Sequence, residues 1–307
     1  MINRGYEMGI ENLGYVRLQV TDPQAWADFA VDVLGFGIAE HDDGNGSKYL
    51  RMDDAPFRYI VEKGSEDKFL AGGLQLSSAE AYAALVKKLQ DAGILVETGS
   101  EEEATRRTVT AFSSCYDPSG NLVEFYYGRH DGSPFTPNHS IKAFITGEMG
   151  LGHLVIPAPE NEATEEFYTS LFGFGISDDL TLPPPAEGAP NQRVLFLHAD
   201  NPRHHTLGLY NFPSPTGLIH LMIEVGSIDE VGYCMDRVKK AGLHIFSDLG
   251  RHSNDEMVSF YFFAPGGMGL EYGYDGKQIA DWSQYTPTKT TSGDYWGHEY
   301  DFPQIGE

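Results

Sequence analysis

The chain has 307 residues, enough for two ordinary domains, and 41% of them are apolar, which favours a folded globular protein. Its formal net charge of −24 excludes nucleic acid as a partner, because phosphate binding needs a basic face and no lysine/arginine cluster is present. No apolar run reaches the roughly 18 residues of a membrane span, and residues 1–8 lack a signal-peptide core. With only two cysteines, far apart, the chain is expected to be cytoplasmic with no membrane partner.

The first half predicts two similar groups of elements. In chain order they are a strand at 13–18, a helix-like stretch ending at Phe36, a second strand at 72–76, a helix at 79–92 and a last strand that carries Glu124. Gly93 directly after the helix is typical of a left-handed helix stop. Each group therefore has the form of an opening strand, a helix and further strands.

The second half repeats this series. His153 follows Tyr15 by 138 residues and Glu271 follows Glu124 by 147, so the second copy carries a net insertion of nine residues, for which the proline-rich loop 181–190 offers a place. The repeated elements are strands at 151–156, 217–221 and 257–263, a helix at 228–241 before Gly242, and a last strand with Glu271. An internal repeat fixes the architecture, here four consecutive strand–helix–strands modules with two in each half. The tail after Asp275 is expected to wrap back onto the body.

Three residues with metal-binding side chains lie on predicted strands of the second half: His153, His220 and Glu271. The two histidines occupy matching positions on the opening strands of the third and fourth modules. If these strands pair by pseudo-twofold symmetry, both imidazoles point into one cavity. Glu271 can complete the set, since a metal neutralises a buried carboxylate that is otherwise costly. Two imidazoles and one carboxylate cap one face of an octahedral Fe(II) ion and leave the opposite positions open.

The first half has different residues at the corresponding positions, namely Tyr15, Gln75 and Glu124. Only the carboxylate is retained, so this half is not expected to form the same site. We therefore predict a non-catalytic domain at residues 1–135 that braces a catalytic domain at residues 136–307.

Further polar residues adjoin strands that should border the same cavity. His205 lies fifteen residues before His220, and His252 precedes the strand that carries Tyr261. Either His205 or His252 alone would be interpreted as a surface histidine or as one supporting the site from outside. His204, next to His205, stays ambiguous, and the other histidines, such as His298, have no such context.

The sequence around these residues contains seven short motifs: Gly-Leu-Gly-His153, Asn201-Pro-Arg-His-His205-Thr-Leu, His220-Leu-Met-Ile-Glu, Gly250-Arg-His252-Ser-Asn254-Asp255, Ser259-Phe-Tyr261, Gly269-Leu-Glu271-Tyr-Gly and Trp296-Gly-His298. Together they resemble the type I extradiol ring-cleaving dioxygenases of the vicinal oxygen chelate superfamily. The chain is most similar to the two-domain enzymes that act on 2,3-dihydroxybiphenyl and related 3-substituted catechols. The resemblance covers essentially the whole chain, with no departure at the catalytic positions.

The resemblance implies an α+β fold of four βαβββ modules, paired into two domains that are each an open mixed barrel enclosing a cavity. It implies extradiol cleavage of a catechol with both atoms of O2 to a 2-hydroxy-6-oxo-dienoate, by a homo-oligomer, dimer or octamer. The family's site residues fall on nine positions: His153, His220 and Glu271 as Fe(II) ligands, His205 as the acid–base residue, Tyr261 and His252 as partners of the substrate hydroxyls, Asn254 and Asp255 as their support, and Val155 beside the ring.

Several alternatives stay open from the sequence. Mn(II) suits the same ligands as Fe(II). A glyoxalase-like isomerase or lyase would use the same scaffold with Zn or Ni, and a small-molecule-binding protein of this fold would typically lack the metal triad. The aromatic-rich, acidic chain favours a hydrophobic catechol over a carboxylated one. The loops at 180–193 and 282–287, which would shape the pocket, have no predicted position.

Overall fold

The computed structural model describes residues 9–301; residues 1–8, on which the signal-peptide prediction rests, and residues 302–307 lie outside the described residues. The first half contains two modules. The first consists of β1 (Ile10–Val20), α1 (Pro23–Phe29), β2 (Gly37–Ile38), β3 (Lys48–Arg51) and β4 (Tyr59–Lys63). The second consists of β5 (Lys68–Leu76), α2 (Ala79–Asp91), β6 (Glu97–Thr98), α3 (Glu101–Arg106), β7 (Val109–Tyr116) and β8 (Leu122–Arg129).

The second half contains two further modules and the tail. The third module consists of β9 (His153–Pro157), α4 (Asn161–Glu166), β10 (Gly175–Leu182), β11 (Gln192–His198) and β12 (Leu207–Tyr210). The fourth consists of β13 (His220–Val225), α5 (Ile228–Lys240), β14 (Ile245–His252), β15 (Val258–Phe263) and β16 (Gly269–Tyr274). The tail adds β17 (Thr288–Thr290) and β18 (Asp294–Trp296). Helices α1 and α4 each continue as a π-helical segment, at Ala30–Leu34 and Phe167–Leu171.

Each half forms one mixed sheet. The strand order is β2-β3-β4-β1-β5-β8-β7-β6 in the first sheet and β17-β10-β11-β12-β9-β13-β16-β15-β14-β18 in the second. In both sheets the opening strands of the two modules are antiparallel neighbours at the centre, β1 beside β5 and β9 beside β13. The predicted α+β class and the predicted pairing of strand–helix–strands modules are therefore confirmed.

The tail belongs to the second sheet, as its predicted return to the body requires. β17 pairs in parallel with β10 at one edge, and β18 pairs antiparallel with β14 at the other. The Asp178 carboxylate accepts hydrogen bonds from the hydroxyls of Thr288 and Thr290, each at 2.6 Å. The Trp282 ring lies parallel to the His198 ring with centroids 3.4 Å apart. These contacts fix the tail along its length.

The two long helices have clear start and stop signals. Ser78 and Ser227 each accept a hydrogen bond from a backbone N–H three residues further on, which caps the first turn of α2 and of α5. Gly93 and Gly242 follow the helices with φ of 80° and 70°, the left-handed conformation that ends a helix. Both helices agree with their predicted bounds within one residue. Within the described part of the chain, no helix is long and apolar enough to cross a lipid bilayer.

One apolar core runs through both halves. Phe29 at the end of α1 packs edge-on against Phe262 of β15, with ring centroids 6.4 Å apart, and both rings are buried. On β9 the side chain of Leu154 joins this core, whereas its neighbours His153 and Val155 face a cavity. This alternation follows from the two-residue period of a strand. It places the predicted site on the face of the second sheet that is turned away from the core.

Candidate metal centre and active site

The three predicted metal ligands lie on adjacent central strands. His153 begins β9, His220 begins β13, and Glu271 is the third residue of β16. Strand β13 lies between the other two, and its Met222 is in register with His153 on one side and with Glu271 on the other. This register brings three residues together that are far apart in the sequence.

Glycines beside the ligands allow the strands to approach closely. A Cβ on Gly152, whose φ is 145°, would lie 2.0 Å from the carbonyl oxygen of Met222. A Cβ on Gly269 would lie 2.3 Å from the carbonyl oxygen of Ile219. Any side chain at either position would push apart the strands that carry the ligands. This is the physical reason for glycine in the motifs that contain His153 and Glu271.

The ligand atoms form a compact triangle. His153 Nε2 lies 3.2 Å from His220 Nε2 and 3.2 Å from Glu271 Oε2, and the third side, from His220 Nε2 to Glu271 Oε2, is 3.3 Å. Neighbouring ligands of an octahedral ion with bonds of about 2.1 Å are about 3 Å apart. The triangle therefore has nearly the size of one octahedral face. Two nitrogens and one carboxylate oxygen suit Fe(II) or Mn(II).

The protonation states also suit metal binding. Burial would raise the pKa of Glu271, but hydrogen bonds from His153, His220 and His252 outweigh burial and hold that pKa well below its ordinary value. Burial lowers the pKa of His153 to about 4, against the opposing effect of Glu271. An ionised carboxylate and a neutral imidazole are the forms that bind a metal.

His252 and Tyr261 lie beside Glu271. His252 Nε2 is 2.6 Å from Tyr261 Oη and 3.2 Å from Glu271 Oε1, and His252 Nδ1 is 2.8 Å from Asp294 Oδ1. Burial alone would lower the pKa of His252, but the carboxylates of Asp294 and Glu271 raise it well above its ordinary value. Burial and the charge of Glu271 raise the pKa of Tyr261, so the phenol stays protonated. Together they form a pair that can donate hydrogen bonds to an oxygen of a bound molecule.

His205 lies on the other side of the triad. Its ring centroid is 4.0 Å from that of His153 and 4.6 Å from that of Phe196. Burial and then the proximity of His153 lower its pKa well below the ordinary value, so the ring is neutral. Its Nδ1 lies 3.1 Å from His204 Nδ1 and 3.8 Å from Asp255 Oδ2, while its buried Nε2 has no hydrogen-bond partner among residues 9–301. This unpaired nitrogen can accept a proton from a bound molecule.

A cavity of about 450 Å³ lies in front of the triad. All nine residues that the sequence predicts for the site line this cavity, so the structure brings every one of them together; their roles remain predictions. Asn254 Oδ1 accepts a hydrogen bond from the backbone N–H of Asp255 at 2.8 Å, which fixes the turn beside the cavity. The outer wall is mainly apolar and includes Leu180, Leu182, Val194, Phe196, Phe246 and Phe263.

Three tail residues, Gly293, Asp294 and Tyr300, also line the cavity, although the sequence alone assigns them no role. Asp294 is 42 residues from His252 and stands in a segment without periodicity or metal-ligand spacing, so no signal marks it. The apolar wall could have been predicted from the sequence. Val194 and Phe196 are two residues apart on β11, so both side chains point to the same face of the strand.

At the corresponding place in the first sheet, Glu124 pairs with arginine instead. Arg107 donates two hydrogen bonds to the carboxylate, at 2.8 and 2.6 Å, while Arg17 donates one at 2.5 Å and Tyr15 one at 2.6 Å. Burial would raise the pKa of Glu124, but Arg107 and Arg17 lower it to about 2. Guanidinium groups thus take the place that a metal would have. Among the described residues, the groups with metal-ligand spacing both lie in the second half.

Two family models match the chain. The model for "Dihydroxybiphenyl dioxygenase BphC D1" matches residues 13–64. The model for the "Glyoxalase/Bleomycin resistance protein/Dioxygenase superfamily" matches residues 150–272, which include all nine predicted site residues.

Individual relatives match nearly the whole chain. An iron-dependent extradiol dioxygenase of Rhodococcus jostii (strain RHA1) is 37% identical over 95% of this chain and 98% of its own length. A biphenyl-2,3-diol 1,2-dioxygenase of Metapseudomonas furukawaii is 39% identical over 95% of this chain and 94% of its own. The crystal structure of BphC, a halotolerant catechol dioxygenase, has a TM-score of 0.86 at 30% identity and covers 96% of both chains. The chain therefore belongs to the extradiol dioxygenase family, as its motifs predict.

Proposed function

We propose that this protein cleaves a hydrophobic 3-substituted catechol, such as 2,3-dihydroxybiphenyl, at the ring bond next to the diol. Both atoms of O2 enter the product, a 2-hydroxy-6-oxo-dienoate, in the degradation of aromatic compounds. One observation carries the proposal: a triangular face of two imidazoles and a carboxylate, with a neutral histidine on one side and a His–Tyr pair on the other. The names of the relatives, an extradiol dioxygenase and a biphenyl-2,3-diol 1,2-dioxygenase, support it.

Fe(II) is the metal in this proposal, and His153, His220 and Glu271 would hold it. The triangle of ligand atoms fits such an ion, and the relative from Rhodococcus jostii is named as iron-dependent. Bound iron supplies positions for both catechol oxygens and for dioxygen, and it conducts electrons between the two substrates. Mn(II) suits the same three ligands, and metal analysis of the active protein distinguishes the two.

His252 and Tyr261 hold the diol in this proposal. The Tyr261 phenol, kept protonated by burial and by Glu271, donates a hydrogen bond to a substrate oxygen. His252 Nε2 lies 2.6 Å from the Tyr261 hydroxyl and so faces the same substrate oxygen. The pair therefore fixes the ring orientation before reaction, which removes the entropic cost of alignment. Asn254 and Asp255 support the adjoining turn, since each accepts a hydrogen bond from a backbone N–H of that turn.

His205 is the acid–base residue in this proposal. Its neutral ring accepts a proton from the substrate at Nε2 and later returns it to an oxygen of the intermediate. The Asp255 carboxylate, 3.8 Å from Nδ1, stabilises the ring while it is charged. Phe196 packs on the ring and excludes water from this exchange.

The cavity favours an uncharged, bulky catechol. Its apolar wall stabilises a hydrophobic substituent by burial, and Val155 projects from β9 into the space beside the triad. A carboxylated catechol would meet both this wall and the field of a chain with a net charge of −24. We therefore place 2,3-dihydroxybiphenyl ahead of carboxylated catechols as substrate.

The test is anaerobic reconstitution of the metal-free protein with Fe(II), followed by assay on a catechol panel. The panel contains 2,3-dihydroxybiphenyl, 1,2-dihydroxynaphthalene, 3-methylcatechol and a carboxylated catechol. We expect one iron per chain, one O2 consumed for each catechol, and the yellow ring-opened product. Full activity without metal, or isomerase activity with Zn or Ni in place of ring cleavage, would refute the proposal.

The two halves of the chain have different roles in this proposal. Residues 1–135 form the non-catalytic domain and residues 136–307 the catalytic one. The arginine pairing of Glu124 supports this division, because it satisfies the carboxylate without a metal. One iron per chain, and not two, is the expected stoichiometry.

We also infer a homo-oligomer, a dimer or an octamer, that works in the cytoplasm. Tyr295 and Trp296 expose 64% and 50% of their surface, which leaves aromatic area available for contact between subunits. Cys115 and Cys234 are both free and buried, as suits a reducing compartment. Light scattering on the intact protein measures the assembly, and a monomer at micromolar concentration would contradict the inference.

A further inference from the structure

The C-terminal tail brings a carboxylate to the candidate active site. Strand β18 pairs with β14 so that Asp294 is in register with His252. Asp294 Oδ1 lies 2.8 Å from His252 Nδ1, and Asp294 lines the same cavity as the predicted site residues. The tail therefore contacts the ring nitrogen of His252 that is opposite to the one facing Tyr261 and Glu271.

This contact determines the orientation of the His252 ring. An imidazole that donates its Nδ1–H to a carboxylate directs Nε2 to the opposite side of the ring. Here Nε2 lies 2.6 Å from Tyr261 Oη and 3.2 Å from Glu271 Oε1. Without the carboxylate the ring is free to rotate, and rotation breaks this arrangement.

Asp294 is in turn fixed by His298. Asp294 Oδ1 lies 2.5 Å from His298 Nδ1, and the other nitrogen of this buried histidine lies 3.0 Å from the backbone oxygen of Ser259. The rings of His252 and His298 are 4.3 Å apart. The cluster has metal-ligand spacing. However, Asp294 Oδ1 lies between the Nδ1 atoms of His252 and His298 at distances typical of charge-assisted hydrogen bonds. Both distances are shorter than the separation of about 3 Å between neighbouring octahedral ligands, so the cluster is a hydrogen-bonded group and not a second metal site.

We propose that Asp294 is a positioning residue: held by His298, it orients His252 so that Nε2 and the Tyr261 hydroxyl meet the same substrate oxygen. This inference deepens the proposed function and rests on it for its catalytic consequence. It makes the tail, residues 276–301, a part of the active site. It also requires that Asp294 acts through His252.

The test is a double-mutant cycle in the Fe(II)-loaded protein with D294A, H252A and D294A/H252A. We expect D294A to lower kcat/KM for 2,3-dihydroxybiphenyl roughly 10- to 100-fold, the range seen when an orienting partner of a site histidine is removed. If Asp294 acts through His252, the double variant is no slower than H252A. Losses that multiply in the double variant would overturn the proposal. If D294A does not fold, D294N keeps the side-chain shape and enters the same cycle.

A second readout does not depend on turnover. In a crystal structure of metal-free D294A we expect the His252 ring to be rotated by more than about 30° from its wild-type rotamer, with the contact to Tyr261 lost. An unchanged ring would overturn the proposal. If the wild-type protein cleaves no catechol, the proposed function is wrong. The comparison of the two crystal structures still tests whether Asp294 orients His252.

D281A is the matched control, since it is the same substitution in the same tail. Asp281 is exposed and accepts hydrogen bonds from Ser283 rather than from a site residue. We expect kcat/KM of D281A within about twofold of wild type, as for an ordinary surface substitution. An equal loss in D281A and D294A would show that a loosened tail causes the effect, and the proposal would fail.

Discussion

Glu271 and Glu124 lie on corresponding strands of the two sheets, and they are neutralised by different partners. Each lies on the strand that pairs in parallel with the second opening strand of its sheet, β16 with β13 and β8 with β5. Glu124 is bound by the guanidinium groups of Arg17 and Arg107, whereas Glu271 faces three imidazoles. The His153 ring is neutral and the cationic His252 also pairs with Asp294, so a metal cation at the triad would complete the neutralisation of the buried Glu271.

This pair of carboxylates provides a test of the metal site with a built-in control. We expect E271Q to bind iron at least 10- to 100-fold more weakly, roughly the loss seen when even a supporting residue of a metal site is removed. E124Q should keep one iron per chain, because Glu124 has no contact with the triad. Metal analysis after anaerobic reconstitution measures both. Comparable iron loss in the two variants would place the metal elsewhere.

Glu124 should make the folded protein sensitive to acid. Its pKa falls from an ordinary value of 4.5 to about 2, so the folded state binds this proton less readily than the unfolded state. The stabilisation, about 3 kcal/mol from this shift, is complete above pH 4.5 and is lost as the pH falls towards 2. At neutral pH, E124Q should be less stable by about 3–5 kcal/mol, since it removes the carboxylate partner of the buried Arg107 and one of the two carboxylates that pair with the half-buried Arg17.

Urea unfolding of wild type and E124Q over a range of pH checks this prediction. The difference in the free energy of unfolding should shrink as the solution becomes more acidic than about pH 4. A difference that stays constant down to the acid limit would show that the carboxylate charge of Glu124 does not stabilise the fold.

Replacement of His205 should affect the chemical step and leave the metal in place. We expect H205A to lower kcat by about 100-fold or more, within the usual range for loss of general acid–base catalysis. Iron content and anaerobic affinity for the catechol should change little, because Nε2 of His205 lies outside the ligand triangle. H244A is the control, since His244 is exposed and hydrogen-bonds the backbone of Asp301. Turnover of H205A at the wild-type rate would exclude the acid–base role.

Substrate size should be controlled at the apolar wall. V194F adds bulk to the wall and should lower kcat/KM for 2,3-dihydroxybiphenyl by about 10-fold or more, as expected when a hydrophobic pocket loses room for a group. Unsubstituted catechol has no second ring, so its kcat/KM serves as the internal control and should change little. Equal losses for both substrates would mean that the second ring does not lie against Val194.

The repeat made the centre of the second sheet predictable. Because His153 and His220 occupy matching positions in two similar modules, the pairing of β9 with β13 follows from symmetry, and the structure has it. The same reasoning cannot predict that Asp294 lies beside His252. Strands β17 and β18 have only three residues each, too few to show an alternating pattern, and they have no counterpart among the described strands of residues 9–135. Their positions depend on contacts with β10 and β14 that no local sequence signal records.

Only residues 291–293 separate β17 from β18, although these strands form opposite edges of the ten-stranded sheet. An extended chain spans at most about 3.5 Å per residue, so the Cα atoms of Thr290 and Asp294 lie within about 14 Å of each other. A sheet whose outermost strands come this close is nearly closed into a barrel, and residues 291–293 connect its two edges. Gly293 and Asp294 line the cavity, so residues 291–293 join the two edges of the sheet at the wall of the candidate active site.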